Sequence, residues 1–305
     1  MPPTLNALTK LRELPRTLAH MLSHPLNRGR PVNALLRFLR WQVGSRLVPG
    51  PVAVPLADGV RILAAPGMPG ATGAVYLGLH EFSDMAFVLH YLRPGDLFVD
   101  AGANVGSYTL LAASTGARCI SFEPVPQTHE KLLTNVRLNG FLERVEAVNA
   151  CLGARAGVVL FTIDIDTENH VTRDGYAGAT LEVPILTLDD VLSGKHATIV
   201  KVDVEGYETE VIRGATSLLQ DRPPDAFVVE INDASHRYGS SEDAFLSILG
   251  QFGYRPHDYD AFERRLLPLG SVSTTSNNTI FTRNAERLAH RLQSAPVRKI
   301  LGRTF

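Results

Sequence analysis

The chain of 305 residues is 45% hydrophobic and 20% charged, a composition that allows a sizeable core and argues against global disorder. Its formal net charge of −1 argues against a general binder of nucleic acids or other polyanions. Two isolated cysteines, Cys119 and Cys151, form neither a disulfide framework nor a zinc cluster, and they fit a reducing, cytoplasmic setting. We expect neither a secretory signal nor a membrane span, because no suitable apolar run is present.

Residues 1–50 are predicted to form a helical extension in front of the main domain. Between residues 35 and 46, apolar and arginine side chains follow the pattern of a short amphipathic helix. The residues of this pattern are Leu35, Leu36, Arg37, Phe38, Leu39, Arg40, Trp41 and Arg46. We expect the helix to pack on the main domain or on a second copy of the chain, giving a homodimer. A substrate lid and a contact with a membrane surface are the alternatives.

Residues 51–80 contain prolines and glycines between short apolar runs, and they predict a small β-hairpin region. From residue 83 onward, predicted helices and strands alternate. The helices are Ser83–Leu92, Ser107–Ser114, Gln127–Leu138, Leu188–Leu192, Glu208–Gln220 and Ala244–Phe252. The strands are Leu97–Asp100, Arg118–Glu123, Val145–Asn149, Thr198–Val204, Ala226–Ile231, Tyr254–Tyr259 and Thr279–Thr282. An extra strand pair, Gly157–Ile163 and Leu181–Leu186, flanks a loop at Asp164–Thr180.

This alternation predicts an α/β fold with a mostly parallel, seven-stranded sheet and helices on both faces. The domain is expected to span residues 51–283, followed by a basic C-terminal tail at 284–305. Ligands of such sheets bind at the carboxyl ends of the strands. Four strands carry an acid at or near that end, namely Asp100, Glu123, Asp203 and Glu230. These acids predict a ligand crevice along one edge of the sheet.

The turn Asp100–Gly106 (DAGANVG) lies between a predicted strand and a predicted helix. Gly102 permits a tight turn and a close backbone approach, and Gly106 lets the following helix pack near the strand. A dinucleotide loop of the form GxGxxG is the alternative. Its second and third glycines would fall on Asn104 and Ser107. The side chains at these positions hinder the close approach of the backbone to a pyrophosphate. The acid that opens the turn also suits a ligand with a positive group.

Glu123 ends the second strand of the alternating region, where an acid can accept hydrogen bonds from ribose hydroxyls. NAD and S-adenosylmethionine both contain adenosine, so Glu123 alone does not separate the two cofactors. Asn149, Ala150 and Cys151 follow the third strand, at the position where an adenine ring would lie. The pattern predicts an adenosine-containing cofactor.

The segment Lys201–Tyr207 (KVDVEGY) ends the fourth strand and contains a lysine within an apolar run. A buried lysine is costly unless it is paired. Strand alternation places Lys201, Asp203 and Glu205 on one side. The group is either a structural ion pair or a polar cluster that faces the substrate and removes a proton from a hydroxyl nucleophile.

Polar side chains also follow the fifth strand, at Glu230, Asn232, Asp233 and His236. With Asp203, some of them could bind a hard metal ion such as Mg²⁺ through oxygen atoms. Neither their spacing nor their types are diagnostic of a metal, so we predict no metal, and either substrate contacts or a simple loop. His170, in the loop after the strand Gly157–Ile163, is either a further candidate base or a surface histidine.

Five segments in consistent order resemble the FkbM-type methyltransferases: VDAGANVGSYT, SFEPVPQTHEKLLTNVRLNG, LTLDDVL, IVKVDVEGYETEVIRGA and FVVEIN. The resemblance runs from about Glu81 to Thr282, and the combination of GANVG with KVDVEGYE is specific. It implies a Rossmann-like class I methyltransferase fold with S-adenosylmethionine as cofactor. It also implies methylation of an oxygen, usually a hydroxyl of a sugar, glycan or polyketide-type small molecule. Residues 1–50 and the tail after Arg283 are not covered.

The resemblance further implies roles for single residues. The implied cofactor-binding residues are Glu81, Asp100, Gly102, Ala103, Asn104, Gly106, Thr109, Glu123, Pro124, Ala150 and Asp203. Within this set, Asp100 to Gly106 would hold the methionine part and Glu123 the ribose. The residues implied on the acceptor side are Glu205, Gly206, Glu230 and Asn232. The candidates for assisting catalysis are Asp203 first, then Lys201 and His170. The loop Asp164–Thr180 departs most from the family, and His170 with Arg173 would reflect a particular acceptor.

Two other functions stay open from the sequence. A nicotinamide-dependent oxidoreductase would need a phosphate-binding loop that the sequence lacks. An inactive methyltransferase fold could serve as a binding module, although the full set Asp100, Glu123, Lys201 and Asp203 argues against decay. Nucleic acid is not expected as a substrate, because the core has no basic stripe interleaved with aromatic residues. The tail is basic through Arg287, Arg291, Arg298, Lys299 and Arg303, which a surface helix explains equally well.

Overall fold

The computed structural model describes residues 14–165, 169–172 and 176–305. The chain divides into two compact units, one formed by Met1–Phe82 with Arg298–Phe305 and the other by Ser83–Val297. The domain boundaries that we predicted from the sequence, at residues 50 and 283, stay predictions. The strand-end acids named above all lie in the second, larger unit.

The smaller unit combines helices with two hairpins: Pro31–Leu47, Pro69–Leu77, the pair Val52–Ala57 and Val60–Ala64, and the pair Lys299–Ile300 and Arg303–Thr304. The hairpin predicted within residues 51–80 is therefore present. The rings of Phe38 and Tyr76 lie 5.4 Å apart between the two helices. Met21, Ala34 and Trp41 are buried, so the unit has a small apolar core of its own.

The larger unit is built around one sheet, whose strands are β1 (Leu97–Ala101), β2 (Arg118–Phe122), β3 (Val145–Val148), β4 (Ile199–Val202), β5 (Ala226–Glu230), β6 (Arg255–Asp260), β7 (Arg265–Pro268) and β8 (Asn278–Thr282). Their order is β7-β6-β8-β5-β4-β1-β2-β3. Strands β1 to β5 pair in parallel, and β8 runs antiparallel to β5 and β6. This topology confirms the predicted α/β fold with a mostly parallel sheet.

The strand order reverses between β1 and β4, since β2 and β3 lie on one side of β1 while β4 and β5 lie on the other. Such a switch point opens a crevice at the carboxyl ends of the two strands. The central strands are buried on both faces, as a parallel sheet requires, and every residue of β4 is buried. One of these buried residues is Lys201, which is 2% exposed.

The sheet has eight strands rather than the predicted seven. The eighth, β7, pairs antiparallel with β6 at the edge of the sheet. The turn between them is closed by Asp260, whose carboxylate accepts hydrogen bonds from the backbone N–H groups of Phe262 and Glu263 at 3.0 Å each. Arg264 completes the turn with a φ of 53°. The short strand escaped prediction because it is only half-buried and lacks a clear apolar pattern.

The helices of the larger unit are Phe82–Tyr91, Ser107–Ser114, Pro126–Leu138, Leu188–Val191, Glu208–Arg213, Thr216–Asp221, Glu242–Gln251 and Ala285–Gln293. The predicted single helix Glu208–Gln220 is thus wrong, because the chain breaks near Gly214. The carboxylate of Asp189 accepts hydrogen bonds from Ser217 and Leu218 at 3.0 and 2.8 Å, which starts a new helix there. Within the described part of the chain, no helix has the length and apolar content needed to cross a bilayer.

The predicted extra strand pair is present and belongs to a separate three-stranded sheet. Gly157–Thr162 pairs antiparallel with Thr180–Leu186, and Cys151–Leu152 adds the third strand. The connecting loop is described only at residues 163–165, 169–172 and 176–179. Arg173, which we linked to acceptor choice, lies outside the described residues.

The basic C-terminal segment packs on the larger unit through the helix Ala285–Gln293. Arg291 pairs with Asp96, and its guanidinium lies 4.7 Å from the centroid of the Tyr91 ring. This arginine therefore has a structural role in the larger unit.

Candidate functional site

The loop that follows β1 crosses very close to the segment that follows β4. The backbone N–H of Asp203 donates a hydrogen bond to the carbonyl of Ala101 at 3.0 Å. A Cβ added to Gly102 would lie 1.8 Å from the carbonyl oxygen of Asp203, and Gly102 has a φ of +84°. Only glycine fits this position, since it combines a left-handed backbone with direct backbone contact. Gly106 also has a left-handed backbone, with a φ of +95°, and its Cβ would lie 2.5 Å from the end of the Leu132 side chain.

Asp100 lies beneath this loop and is 1% exposed. Its Oδ2 accepts a hydrogen bond from the hydroxyl of Thr109 at 2.6 Å, and Thr109 in turn lies 2.7 Å from the hydroxyl of Ser121. Its Oδ1 is buried and has no hydrogen-bond partner among the described residues. Burial raises the pKa of Asp100, and the nearby Lys201 ammonium opposes that rise. This oxygen is therefore an acceptor without a partner among the described residues, directly beneath the loop.

Glu123 lies at the carboxyl end of β2 and is held by the two loops beside it. Its Oε2 accepts from the backbone N–H of Asn104 at 3.0 Å, and its Oε1 accepts from that of Val125 at 2.9 Å. Burial raises the pKa of Glu123 to about 7, and these two hydrogen bonds work against the rise. The side-chain amide of Asn149 donates to the carbonyls of Glu123 and Pro124 at 2.8 and 2.9 Å. The acid is therefore fixed in place before any ligand binds.

Lys201, Asp203 and Glu230 form a charged cluster at the ends of β4 and β5. Lys201 Nζ lies 2.6 Å from Asp203 Oδ2 and 4.6 Å from the centroid of the Tyr108 ring. Asp203 is 28% exposed, so the cluster opens to solvent on its acidic side. Burial, followed by the charge of Asp203 and a hydrogen bond with it, raises the pKa of Glu230 to about 9. The two carboxyl groups titrate as a pair, and their closeness favours one negative charge over two.

Glu205 completes an acidic group with Asp203 and Glu230, whose carboxylate oxygens can lie within 4.8 Å of one another. Such a group could bind a cation, and the Lys201 ammonium supplies positive charge at its edge. The absence of a metal stays a prediction. On the same side, the Asn232 amide donates to Glu230 Oε2 at 3.2 Å.

The loop after β4 is held in a strained shape that brings Glu205 and Gly206 to the site. Glu205 has a φ of 56°, which is uncommon for a residue other than glycine. A Cβ on Gly206 would lie 2.5 Å from the carbonyl oxygen of Ala234. Glu208 Oε1 accepts hydrogen bonds from the backbone N–H groups of Val204 and Gly206, both at 3.0 Å. This buried carboxyl therefore organises the turn from within.

Two predicted site residues, His170 and Glu81, are not part of the charged cluster. His170 is buried against its own strand pair, where its backbone N–H donates to the hydroxyl of Thr162 at 2.9 Å and its ring lies 6.3 Å from that of Tyr176. Glu81 belongs to the smaller unit and directly precedes the helix Phe82–Tyr91. The roles of both residues stay predictions. Asp233 and His236, weighed above as metal ligands, lie in the short 3₁₀ helix Asp233–Tyr238.

Three residues of the site were not predicted from the sequence: Tyr108, Ser121 and Glu208. Glu208 is part of the KVDVEGYE motif in the sequence, but its inward orientation depends on the turn that it stabilises. Ser121 lies two residues before Glu123 on the same strand, so strand alternation could have placed it on the crevice side. Tyr108 gives no such signal, because its contact with Lys201 exists only in the folded chain.

Comparison with known proteins agrees with this geometry. Residues 100–256, just over half of the chain, match the family described as the methyltransferase FkbM domain. Methyltransferase sdnD of Sordaria araneosa is 29% identical over 169 residues, covering 44% of this chain and 65% of the relative. Hexuronic acid methyltransferase AglP of Haloferax volcanii is 30% identical over 137 residues, covering 44% of this chain and 55% of the relative. The chain thus spans less than two thirds of either relative.

Among solved structures, a putative rRNA-methylase from Clostridium thermocellum is similar at a TM-score of 0.40 and 11% identity, over 65% of this chain and 90% of that one. That likeness is too distant to bear on function. The family match begins at Asp100 and contains both the turn Asp100–Gly106 and the KVDVEGYE segment. The chain therefore belongs to the FkbM methyltransferase domain family, whose methyl donor is S-adenosylmethionine.

Proposed function

We propose that the protein transfers the methyl group of S-adenosylmethionine to a hydroxyl oxygen of a sugar, glycan or polyketide-type small molecule. The observation that carries this proposal is the contact between the loop after β1 and the charged cluster. Gly102 lies against the carbonyl oxygen of Asp203, so a proton-accepting group stands beside the loop assigned to the cofactor. The relation to a hexuronic acid methyltransferase supports a sugar-like acceptor.

In this proposal, residues at the carboxyl ends of β1 and β2, and in the segments that follow them, bind the cofactor. Asp100 offers its unpaired Oδ1 to the ammonium of the methionine part, and Thr109 orients Asp100 from behind. Each oxygen of Glu123 accepts one backbone hydrogen bond, which leaves a second lone pair for a ribose hydroxyl. Ala150, which is buried after β3, is assigned to the adenine. When bound, S-adenosylmethionine supplies an activated methyl group on a sulfonium leaving group.

Residues at the carboxyl ends of β4 and β5 remove the proton from the acceptor hydroxyl. A hydroxyl must lose its proton as its oxygen forms the new bond to carbon, and Asp203 accepts that proton. Lys201, at 2.6 Å, balances the charge of the carboxylate before the reaction. The raised pKa of Glu230 favours the proton on Glu230 and leaves Asp203, which is paired with Lys201, as the carboxylate that accepts. Proton transfer of this kind contributes about 10²- to 10⁴-fold in rate.

The charge of the cluster bears on which oxygen is methylated. Asp203, Glu205 and Glu230 place three carboxyl groups around one point. The carboxylate of an acidic sugar would be repelled there, whereas a neutral hydroxyl can donate a hydrogen bond to Asp203. We therefore propose that the product is a methyl ether and not a methyl ester.

The test is product analysis with ¹³C-methyl S-adenosylmethionine and a panel of uronic acid sugars, neutral oligosaccharides and polyketide alcohols. We expect at least one acceptor to give a methyl ether, identified from its carbon chemical shift, together with S-adenosylhomocysteine. Asp203→Asn should lower turnover about 100-fold or more. Its affinity for S-adenosylhomocysteine should match that of the unchanged chain. Transfer to nitrogen, carbon or a carboxylate would refute the assignment, as would normal turnover in Asp203→Asn.

A further inference from the structure

The helix Pro31–Leu47 has apolar side chains on two opposite faces. Ala34 and Trp41 are buried on the inner face. The outer face carries large apolar side chains that are between 37% and 75% exposed: Val32, Leu35, Leu36, Leu39, Val43 and Leu47. With 3.6 residues per turn, these six fall within one arc of about 120°. We call them the outer stripe. A contiguous exposed patch of this kind marks an interaction surface.

The charge around the outer stripe is of one sign. Residues 14–57 contain six arginines and no acidic residue, although the whole chain has a formal net charge of −1. Arg40 lies at one edge of the stripe and Arg46 lies among its side chains, and both are exposed. Arg37 faces the other way, where it is half-buried and donates a hydrogen bond to the side chain of Asn27. Positive charge is therefore concentrated next to the exposed apolar surface.

We propose that the outer stripe binds the surface of an anionic lipid bilayer. The apolar side chains would enter the headgroup region, and Arg40 and Arg46 would lie at the level of the lipid phosphates. A second copy of this helix is a poorer partner, because its segment would add arginines without supplying an acid. Nucleic acid matches the charge but offers no surface for six large apolar side chains. The proposal is independent of the methyl acceptor.

Sedimentation of the full chain with vesicles tests this binding. We expect strong binding to phosphatidylcholine vesicles that contain phosphatidylglycerol, weak binding to phosphatidylcholine alone, and release at high salt. Arg40→Gln with Arg46→Gln should weaken binding about 25-fold, at about fivefold for each arginine. Leu36→Ser with Leu39→Ser should weaken binding about tenfold or more. The control is Val158→Ser with Leu160→Ser, which removes apolar side chains that are 65% and 48% exposed elsewhere, and it should bind normally.

Several results would overturn the proposal. Equal binding to both vesicle types, no binding to either, or normal binding by both helix variants would each do so. A lipid-free dimer that dissociates in Leu36→Ser with Leu39→Ser would assign the stripe to a second copy of the chain. Retention of RNA without vesicle binding would assign the surface to a nucleic acid. Because all the substituted side chains are exposed, circular dichroism should show an unchanged fold in every variant.

Discussion

Substitution of Glu208 tests how the loop after β4 is stabilised. Its side chain is 3% exposed, and its Oε1 accepts hydrogen bonds from Val204 and Gly206 at 3.0 Å each. Burial raises its pKa from 4.5 to about 7, and these hydrogen bonds limit the rise. Between these two values the folded chain keeps a proton that the unfolded chain releases. The stability from Glu208 is therefore present below pH 4.5 and is lost as the pH rises through about 7.

The size of this loss follows from the two pKa values. At 1.36 kcal/mol per pH unit, the gap between 4.5 and about 7 corresponds to about 3 kcal/mol of unfolding free energy at pH 8. Glu208→Gln keeps an acceptor oxygen for both N–H groups and cannot ionise. Its free energy of unfolding should exceed that of the unchanged chain by up to about 3 kcal/mol at pH 8, and by less than about 1 kcal/mol at pH 5.

Urea unfolding between pH 5 and pH 8 measures this difference. Glu210→Gln, two residues further along, controls for the loss of one negative charge. Glu208→Ala removes the acceptor itself and should destabilise the fold by about 1–3 kcal/mol at every pH. If Glu208→Gln differed from the unchanged chain by the same amount at pH 5 and pH 8, the reasoning about this buried carboxyl would be refuted.

Three further predictions concern the site. Gly102→Ala should weaken S-adenosylhomocysteine binding about tenfold or more in calorimetry, because its Cβ meets backbone at 1.8 Å; Gly140→Ala, with a φ of +69° but open space around it, should bind normally. Binding to the unchanged chain should weaken below about pH 7, where Glu123 is protonated, and Glu123→Gln should bind weakly at every pH; a flat profile in the unchanged chain would contradict this. Lys201→Met leaves the acidic cluster without its ammonium, so the unfolding free energy at pH 7 should fall by about 3 kcal/mol, and unchanged stability would argue against a buried ion pair.

Much of the fold follows from local sequence pattern. Strands such as Leu97–Ala101 are short apolar runs that end in an acid or a glycine turn, and helices such as Ser107–Ser114 begin directly after that turn. Parallel strands place their carboxyl ends on one edge, so acids as distant in sequence as Asp100 and Glu230 could be expected in one crevice. Gly102 could also be interpreted from the sequence, because its left-handed turn is a local requirement.

Other features depend on contacts that no local pattern reveals. The helix predicted at Glu208–Gln220 is interrupted because Asp189, from a different helix, accepts hydrogen bonds from Ser217 and Leu218. Strand β7 exists because β6 offers it an open edge. The raised pKa of Glu230 depends on burial and on the neighbouring Asp203, which come together only in the folded chain. His170 is adjacent to a predicted strand, yet its described contacts are with Thr162 of that strand and with Tyr176 of the connecting loop.

The crevice between β1 and β4 is the centre of this interpretation, and a calorimetric titration tests it most directly. S-adenosylhomocysteine should bind the unchanged chain at one site with micromolar affinity, while NAD should give no signal. Asp203→Asn should bind S-adenosylhomocysteine as tightly as the unchanged chain, and Glu123→Gln should bind it more weakly. Binding of NAD without binding of S-adenosylhomocysteine would contradict the assignment of the crevice to a methyl donor.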